Sequence, residues 1–294
     1  MARVQRWRKI LPETAARHAD SAGRPPQYTF FYPQEEYRPE LLDPLAEMAR
    51  MGLGDVEVHI HHDGEGERDF VDRMQGFCET LYTRHGLLRK IDGRISFGFI
   101  HGNWSLDNSL PGGKLCGLNN EITLLRDMGC YADFTLPAAP TAAQTRIVNS
   151  IYWATDDPLK PKSHDTGVPL VPGKPSTGDL LMIQGPLGLR FGENGRFSPR
   201  IEMGEYAGYD LPSRARARTW LELSPRLGDN IFVKLHTHGT NDRNIGPLLE
   251  GGLETLFSVM EAECAARELT LHYVTARELY EAVMAAHGVS ARLR

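Results

Sequence analysis

The chain has 294 residues, of which 41% are hydrophobic and 24% are charged, and this is the composition of a globular protein. Its formal net charge of −5 gives no electrostatic reason to expect a nucleic-acid partner. No apolar run reaches the roughly 18 residues that a membrane-spanning helix requires. No apolar signal core follows the basic first ten residues, so a cytoplasmic location is expected.

The chain in order alternates strand-like runs with helical segments. Short β-branched or aromatic runs predict seven strands, at 28–32, 55–60, 94–100, 130–136, 179–183, 231–235 and 271–274. Apolar residues at helical spacing predict helices over 39–51, 69–87, 118–128, 248–267 and 276–286. The proline- and glycine-rich stretch 155–178 predicts a long functional loop. The basic cluster at Arg214, Arg216 and Arg218 predicts a solvated helix face.

This alternation predicts the fold class. Strands that alternate with helices favour a parallel sheet with right-handed crossovers. Seven strands over this length favour a closed or nearly closed (β/α) barrel, and no G-x-G-x-x-G follows a strand to indicate a dinucleotide site. We therefore expect residues 1–294 to form a single barrel domain, with the first 25 or so residues as a helical extension.

The four cysteines argue for a reduced protein. They are Cys78, Cys116, Cys130 and Cys264, and none belongs to a C-x-x-C pair. This spacing predicts neither a disulfide framework nor a thiolate zinc site.

The histidines are concentrated where the predicted strands end, and the active site of a parallel barrel lies at the carboxyl ends of its strands. Six of the 11 histidines occur there: His59, His61, His62, His101, His236 and His238. His59 and His61 alternate on a strand, so both rings point to one face, roughly 7 Å apart, and could bind one ion. His101 is a candidate third ligand, and His62 is expected to point to the opposite face or into the loop. Zinc is favoured, with nickel, cobalt and iron as alternatives.

Other candidate site residues each have a structural interpretation as well. His236 and His238 could bind metal or act in acid–base catalysis. Asp133 is an inward acid, for which a functional role and a buried structural network are both open. Trp104 is a possible sugar-stacking platform or a buried anchor, and the triplet 119–121 suits the cap of the following helix. A structural role is favoured for the histidines without a partner at ligand spacing: His85, His164, His272 and His287.

Several segments resemble polysaccharide-deacetylase-like proteins. The resemblance covers nearly the whole chain, and the segments that carry it are HIHHD (59–63), FGFIHGNWSLDNS (97–109), CGLNNEITLLRDMGCYADFTLPAAPTAAQTRIVNSIYWATDDP (116–158), SHDTG (163–167), LMIQGP (181–186) and FVKLHTHG (232–239). The family is a divergent branch of the NodB-homology carbohydrate esterases, found in bacterial exopolysaccharide and O-antigen gene clusters. The resemblance implies a distorted (β/α)7 barrel with one divalent metal, usually zinc. It also implies hydrolysis of an N- or O-acetyl group from a sugar, with residues 59–62 as the histidine motif and residues 234–236 as the motif that bears the catalytic acid.

The chain departs from this family at the expected metal site. The family combines an aspartate after its first strand with histidines spaced H-x-x-x-H, whereas here the spacing is H-x-H-H and the first strand-like run ends in Pro-Gln-Glu-Glu (33–36). Either the family's acidic strand, which precedes the segment at residues 6–8, is missing, or Glu35 or another acid replaces it. The family's arginine–proline motif is also replaced, by residues 134–137.

The sequence therefore predicts a metal-dependent deacetylase that acts on an acetamido sugar of a bacterial polysaccharide or its precursor. His59 and His61 would hold a divalent ion, for which the resemblance implies zinc, with His101 or an acid completing the shell. The predicted catalytic groups are Asp133 or Glu35 as base and His236, oriented by His238, as acid. The predicted substrate contacts are Asn103, Trp104, Asn120, Gln184, His164 and Asp165. The alternatives are a glycan- or partner-binding barrel without catalysis, and another metal hydrolase such as a phosphoesterase or amidohydrolase.

Overall fold

The computed structural model describes residues 1–191 and 199–288. In chain order the main elements of these residues are α1 (Ala2–Ala15), β1 (Tyr28–Pro33), α2 (Pro39–Arg50), β2 (Gly54–Ile60), α3 (Glu67–His85), β3 (Arg89–Ile91), β4 (Arg94–His101), α4 (Glu121–Met128), β5 (Cys130–Asp133), β6 (Ile151–Ala154), β7 (Val168–Pro169), β8 (Leu180–Ile183), β9 (Gly188–Arg190), β10 (Arg200–Glu202), α5 (Arg214–Leu223), β11 (Arg226–Leu227), β12 (Asn230–Ile231), α6 (Asp242–Pro247), α7 (Leu253–Ala266) and α8 (Ala276–His287).

The central sheet has the strand order β1–β2–β4–β5–β8–β6–β7, and β3 pairs with β4. The pairs from β1 to β8 are parallel, whereas β6 and β7 extend the sheet with antiparallel pairs. The predicted mixed α/β class with a mostly parallel sheet is therefore confirmed. Within residues 1–191 and 199–288 no strand pairing joins β1 to β7, so closure into a barrel stays a prediction.

Of the last two predicted strands, the one at 231–235 is confirmed only at Ile231, which belongs to β12 and pairs with Arg226 of β11. The rest of that run and the strand predicted at 271–274 are wrong, because their backbone groups bond to loop and side-chain atoms instead of a neighbouring strand of the sheet. In the segment 232–238, the backbone N–H of His236 donates to Gly204, and that of Phe232 donates to Pro225. In the segment 271–274, the N–H of Leu271 donates to the Ser21 hydroxyl and that of Tyr273 to the Asp20 carboxylate. The sequence prediction also missed β6, which pairs antiparallel with β8.

The sheet has two differently covered faces, and alternation along each strand sorts its side chains between them. One face, here called the helix face, packs against α2, α3 and α4, and Val58, Ile60 and Phe99 belong to its core. The other, here called the α8 face, carries Tyr131, and it packs against α8 through residues such as Tyr280. This division decides where each histidine of the strand ends lies.

Helix α1 packs beside the edge strand β1, where the centroid of the Trp7 ring lies 4.7 Å from that of Tyr28. The N-terminal extension is α1, whose Trp7 is buried and donates its indole N–H to the carbonyl of Gly239 at 3.1 Å. The prediction of a solvated basic face on α5 is wrong for Arg216, because this side chain is buried and bonds to Glu202 at 2.8 and 2.9 Å. Among the described residues, no helix is both long and apolar enough to cross a bilayer.

Candidate metal centre and acid–base pairs

A buried cluster of four potential metal ligands lies at the carboxyl ends of β2 and β4. It consists of His62, His101, Cys116 and Glu121, whose ligand atoms all lie within 4.8 Å of one another. His62 Nε2 is 2.8 Å from His101 Nε2 and 3.1 Å from Glu121 Oε1. Cys116 Sγ is 3.4 Å from Glu121 Oε2. This cluster could hold a metal ion.

Secondary structure explains why these residues meet. His101 is the last residue of β4, and it shares the helix face with Phe99 because the two are two positions apart. His62 follows Ile60 on the same alternation, and its ring packs on Phe70 of α3 with centroids 4.8 Å apart. Glu121 is the first residue of α4, so its carboxylate also benefits from the positive end of the helix dipole.

Burial and the neighbouring side chains shift the pKa values of the cluster residues. Burial alone would raise the pKa of Glu121, but His101 and the hydrogen bond from His62 lower it to about 2. Burial lowers the pKa of His101, with Glu121 opposing that shift, and burial raises the pKa of the Cys116 thiol. Two imidazoles, one thiol and one carboxylate are the donor types that zinc binds in proteins. The residues therefore fit the divalent metal that the sequence predicted, through a different ligand set.

A second group of ionisable side chains lies on the α8 face. His59 and His61 have ring centroids 4.6 Å apart, and Glu35 pairs with Nδ1 of His61. His59 Nδ1 lies 2.8 Å from the carbonyl of Ile100, and burial lowers the pKa of His59 to about 4, with the charge of His61 adding to this effect. The side chain of His61 is 46% exposed, so this group can meet a ligand from solvent.

A further carboxylate–imidazole pair joins His238 to Glu205, with His238 Nδ1 3.1 Å from Glu205 Oε1. The hydrogen bond from His238 holds the pKa of Glu205 below its usual value, against the effect of burial. The Trp104 ring lies 5.8 Å from the His238 ring. Asn103 and Trp104 both have left-handed backbone, with φ of 56° and 57°, and such strain is concentrated at functional sites.

The predicted metal set of His59, His61 and His101 is divided between two faces of the sheet. His101 belongs to the buried cluster, whereas His59 and His61 share the parity of Glu57, which contacts Tyr131 on the α8 face. His62, expected to point away from the ion, is instead a member of the cluster. The alternation argument was correct about His59 and His61 sharing a face, but it did not reveal which face the other donors would occupy.

The predicted catalytic residues are also distributed unevenly. Glu35 and His238 are in the two accessible pairs described above. Asp133 is buried and accepts bonds from the backbone and hydroxyl of Thr135, and burial raises its pKa to about 7. The His236 ring lies 6.4 Å from that of His238, and burial, with the charge of Lys234, lowers the His236 pKa to about 3.

Among the predicted substrate contacts, the structure places Asn103 and Trp104 in the turn beside the accessible pairs. Gln184 is buried and bonds to the backbone of Ile147 and Ser150. His164 is fully buried, and Asp165 accepts the backbone N–H of Arg146 at 3.1 Å. Asn120 stands at the N-cap position of α4 without a capping side-chain bond.

Sequence reasoning missed Cys116, Glu121 and Glu205. Cys116 was set aside because it has no C-x-x-C partner, although a mixed ligand set needs only one cysteine. Glu121 was interpreted as part of a helix cap, and only its burial distinguishes it from a solvated first-turn acid. Glu205 lies in an irregular segment, where no periodic pattern signals its contact with His238.

No protein-family model matches the chain, and searches of curated proteins and of solved structures also find no match. The function is therefore argued from the site itself and from the motif resemblance.

Proposed function

We propose that the protein is a metal-dependent hydrolase that removes an acetyl group from an acetamido sugar. The observation that carries this proposal is the placement of two accessible carboxylate–imidazole pairs, Glu35–His61 and Glu205–His238, beside one turn. Gly102 of that turn lies against the His61 ring, and Trp104 contacts His238. One pair can therefore accept a proton while the other supplies one.

The chemistry follows from the tautomer that each carboxylate imposes. Glu35 accepts the Nδ1 proton of His61, which leaves Nε2 of His61 free to take a proton from water as its oxygen attacks the acyl carbon. His238, held by Glu205, donates a proton to the leaving nitrogen of the sugar. The reaction consumes one water and yields acetate and an amino sugar.

Two features support a sugar as the substrate. The indole of Trp104 offers an apolar face of the kind on which sugar rings stack, and it lies beside His238. The motif resemblance to polysaccharide deacetylases supports an acetylated sugar as the substrate class. A divalent ion bound by the neighbouring cluster would supply positive charge at the ends of β2 and β4 and would hold the ligand residues in fixed positions.

The barrel architecture belongs to this proposal as well. The segment 232–239 passes from the end of β8 towards β1. A Cβ on Gly185, after β8, would lie 2.7 Å from the carbonyl of Lys234, and a Cβ on Gly239 would lie 3.5 Å from the Tyr28 hydroxyl of β1. These two approaches support the proposal that the segment 232–239 helps to close the sheet into a barrel.

The test is acetate release from acetamido-sugar oligomers by the purified protein. We expect His61→Gln and His238→Gln each to lower kcat/KM by on the order of 10²- to 10⁴-fold, the usual contribution of acid–base catalysis. His272→Gln changes an exposed histidine outside both pairs and serves as the matched control. Unchanged acetate release in both site variants would refute the assignment, and phosphate release from sugar phosphates instead would favour a phosphoesterase.

A glycan-binding barrel without catalysis is the second candidate. The burial of all four cluster residues favours it, because a hydrolytic ion normally keeps one position open to water. This candidate predicts that calorimetry detects binding of the oligomers while no acetate is released. It also predicts that Trp104→Ala lowers the affinity.

A further inference from the structure

We infer that the cluster of His62, His101, Cys116 and Glu121 is a closed, four-ligand zinc site that fastens the loop of residues 102–120 to the ends of β2 and β4. This inference stands on the cluster alone. It assigns the ion a structural role, so it holds whether or not the accessible pairs are catalytic.

The charges of the four ligands match a divalent ion. Cys116 binds as a thiolate and releases its proton to solvent, and Glu121 is anionic. Two neutral imidazoles complete the set, so the site with a divalent ion has no net charge. This matters because an unbalanced charge in a dry interior costs several kcal/mol, and all four side chains are buried. A thiolate with imidazoles favours zinc over magnesium or calcium, which prefer oxygen ligands.

The spacing of the donor atoms also fits tetrahedral zinc. Zinc–ligand bonds of about 2.0–2.3 Å imply donor–donor separations of about 3.3–3.8 Å in a tetrahedron. The observed separations are 2.8 Å between Nε2 of His62 and Nε2 of His101, 3.1 and 3.4 Å from these two atoms to Oε1 of Glu121, and 3.4 Å from Cys116 Sγ to the other oxygen, Oε2, of Glu121. All four ligand atoms lie within 4.8 Å of one another, so shifts of about 1 Å or less between them would bring them to coordination distance.

The surroundings already orient each donor towards a common point. His101 Nδ1 bonds to the carbonyl of Gly102, and His62 Nδ1 lies 3.5 Å from a carboxylate oxygen of Glu65 without a hydrogen bond to it, so both Nε2 atoms are left for the ion. Cys116 Sγ accepts backbone N–H groups from Asn108 at 3.3 Å and from Leu118 at 3.5 Å. Such donors stabilise a thiolate more than a thiol.

The loop of residues 102–120 has strained backbone, so additional contacts are required to hold it in this conformation. Its non-glycine residues with left-handed backbone include Asp107, Asn108 and Leu115, whose φ angles are 55°, 52° and 61°. Direct bonds tie it to the end of β2: Gly64 N–H donates to the carbonyl of Cys116 at 2.8 Å, and Leu115 N–H donates to Asp63 at 2.8 Å. An ion bound to His62, His101 and Cys116 would lock the same contact.

The first experiment measures metal in the purified full-length protein. We expect about one zinc per chain by elemental analysis, with retention by Cys264→Ser and loss by Cys116→Ser, because Cys264 is a buried cysteine of α7 far from the cluster in sequence. Chelation should lower Tm, and added zinc should restore it. A protein without bound metal and without affinity for added zinc would overturn the inference.

Cobalt substitution keeps the inference testable if Cys116→Ser does not fold. The cobalt-loaded wild type should show the near-ultraviolet charge-transfer absorption of a cobalt–thiolate bond. A cobalt-loaded protein that lacks this band would remove Cys116 from the ligand set. Acetohydroxamate should leave the spectrum unchanged, since four protein ligands leave no open position. A spectral change on its addition would show an open, catalytic site and would refute the closed one.

Discussion

Gly102 is the residue at which the geometry of the site makes its sharpest prediction. A Cβ at this position would lie 2.5 Å from Cγ of the His61 ring and 2.5 Å from the carbonyl oxygen of Ile60. The carbonyl cannot retreat easily, because Ile60 pairs with His101 across β2 and β4. We therefore expect Gly102→Ala to push the His61 ring out of its pair with Glu35.

The size of the effect follows from these contacts. Overpacking of this kind costs about 1–3 kcal/mol. Loss of the Glu35–His61 pair adds only about 0–1 kcal/mol, because the His61 side chain is 46% exposed and water screens the interaction. For a chain of this size we expect a fall in Tm of roughly 2–4 °C for each kcal/mol.

Urea denaturation of the wild type and two glycine variants measures this prediction. Gly76→Ala is the matched control, because Gly76 is exposed in the interior of α3 and its Cβ would meet nothing within 4 Å. Alanine there should stabilise the protein by about 0.5–1 kcal/mol. The two identical substitutions thus have opposite expected signs, and a Gly102→Ala variant as stable as the wild type would refute the placement of Gly102 against His61.

Three further predictions concern single side chains. Glu35→Gln should leave stability within about 1 kcal/mol of the wild type, because the pair is partly exposed, and should reduce acetate release, as a coupled acetate assay measures. Burial, against the opposing charge of Arg277, raises the pKa of Glu57 to about 7, so the folded protein keeps a proton that the unfolded chain releases near pH 4.5. As pH rises from 5 to 8, the free energy of unfolding of the wild type should therefore fall relative to that of Glu57→Gln, by at most about 3 kcal/mol. Denaturation of both proteins at each pH measures this difference, and the same pH dependence in both would contradict the prediction. Thr275→Ala removes the capping box with Glu278 at the start of α8 and should cost about 1 kcal/mol in the same assay, whereas an unchanged midpoint would show that water replaces the cap.

The sequence was a good guide to the regular elements that bury apolar side chains. The runs that became β1, β2 and β4 alternate cleanly or are continuously apolar, and the period of α2 and α8 matches a helix. These signals are local, so they can be recognised in the sequence without knowledge of the fold. The predicted strands were wrong at 232–235 and at 271–274, because an apolar run does not reveal whether a neighbouring strand is available to accept its hydrogen bonds.

The concentration of histidines at the ends of β2 and β4 was visible in the sequence, and so was the pairing of His59 with His61 on one face. The sequence alone could not show that His62 and His101 face the helices, because the face depends on which side of the sheet each helix covers. Cys116 and Glu121 join them from a loop and a helix start that lie 54 and 59 residues beyond His62 in the chain. A metal centre of this kind is a property of packing: the sequence supplies the donors, and only the tertiary structure brings them to one point.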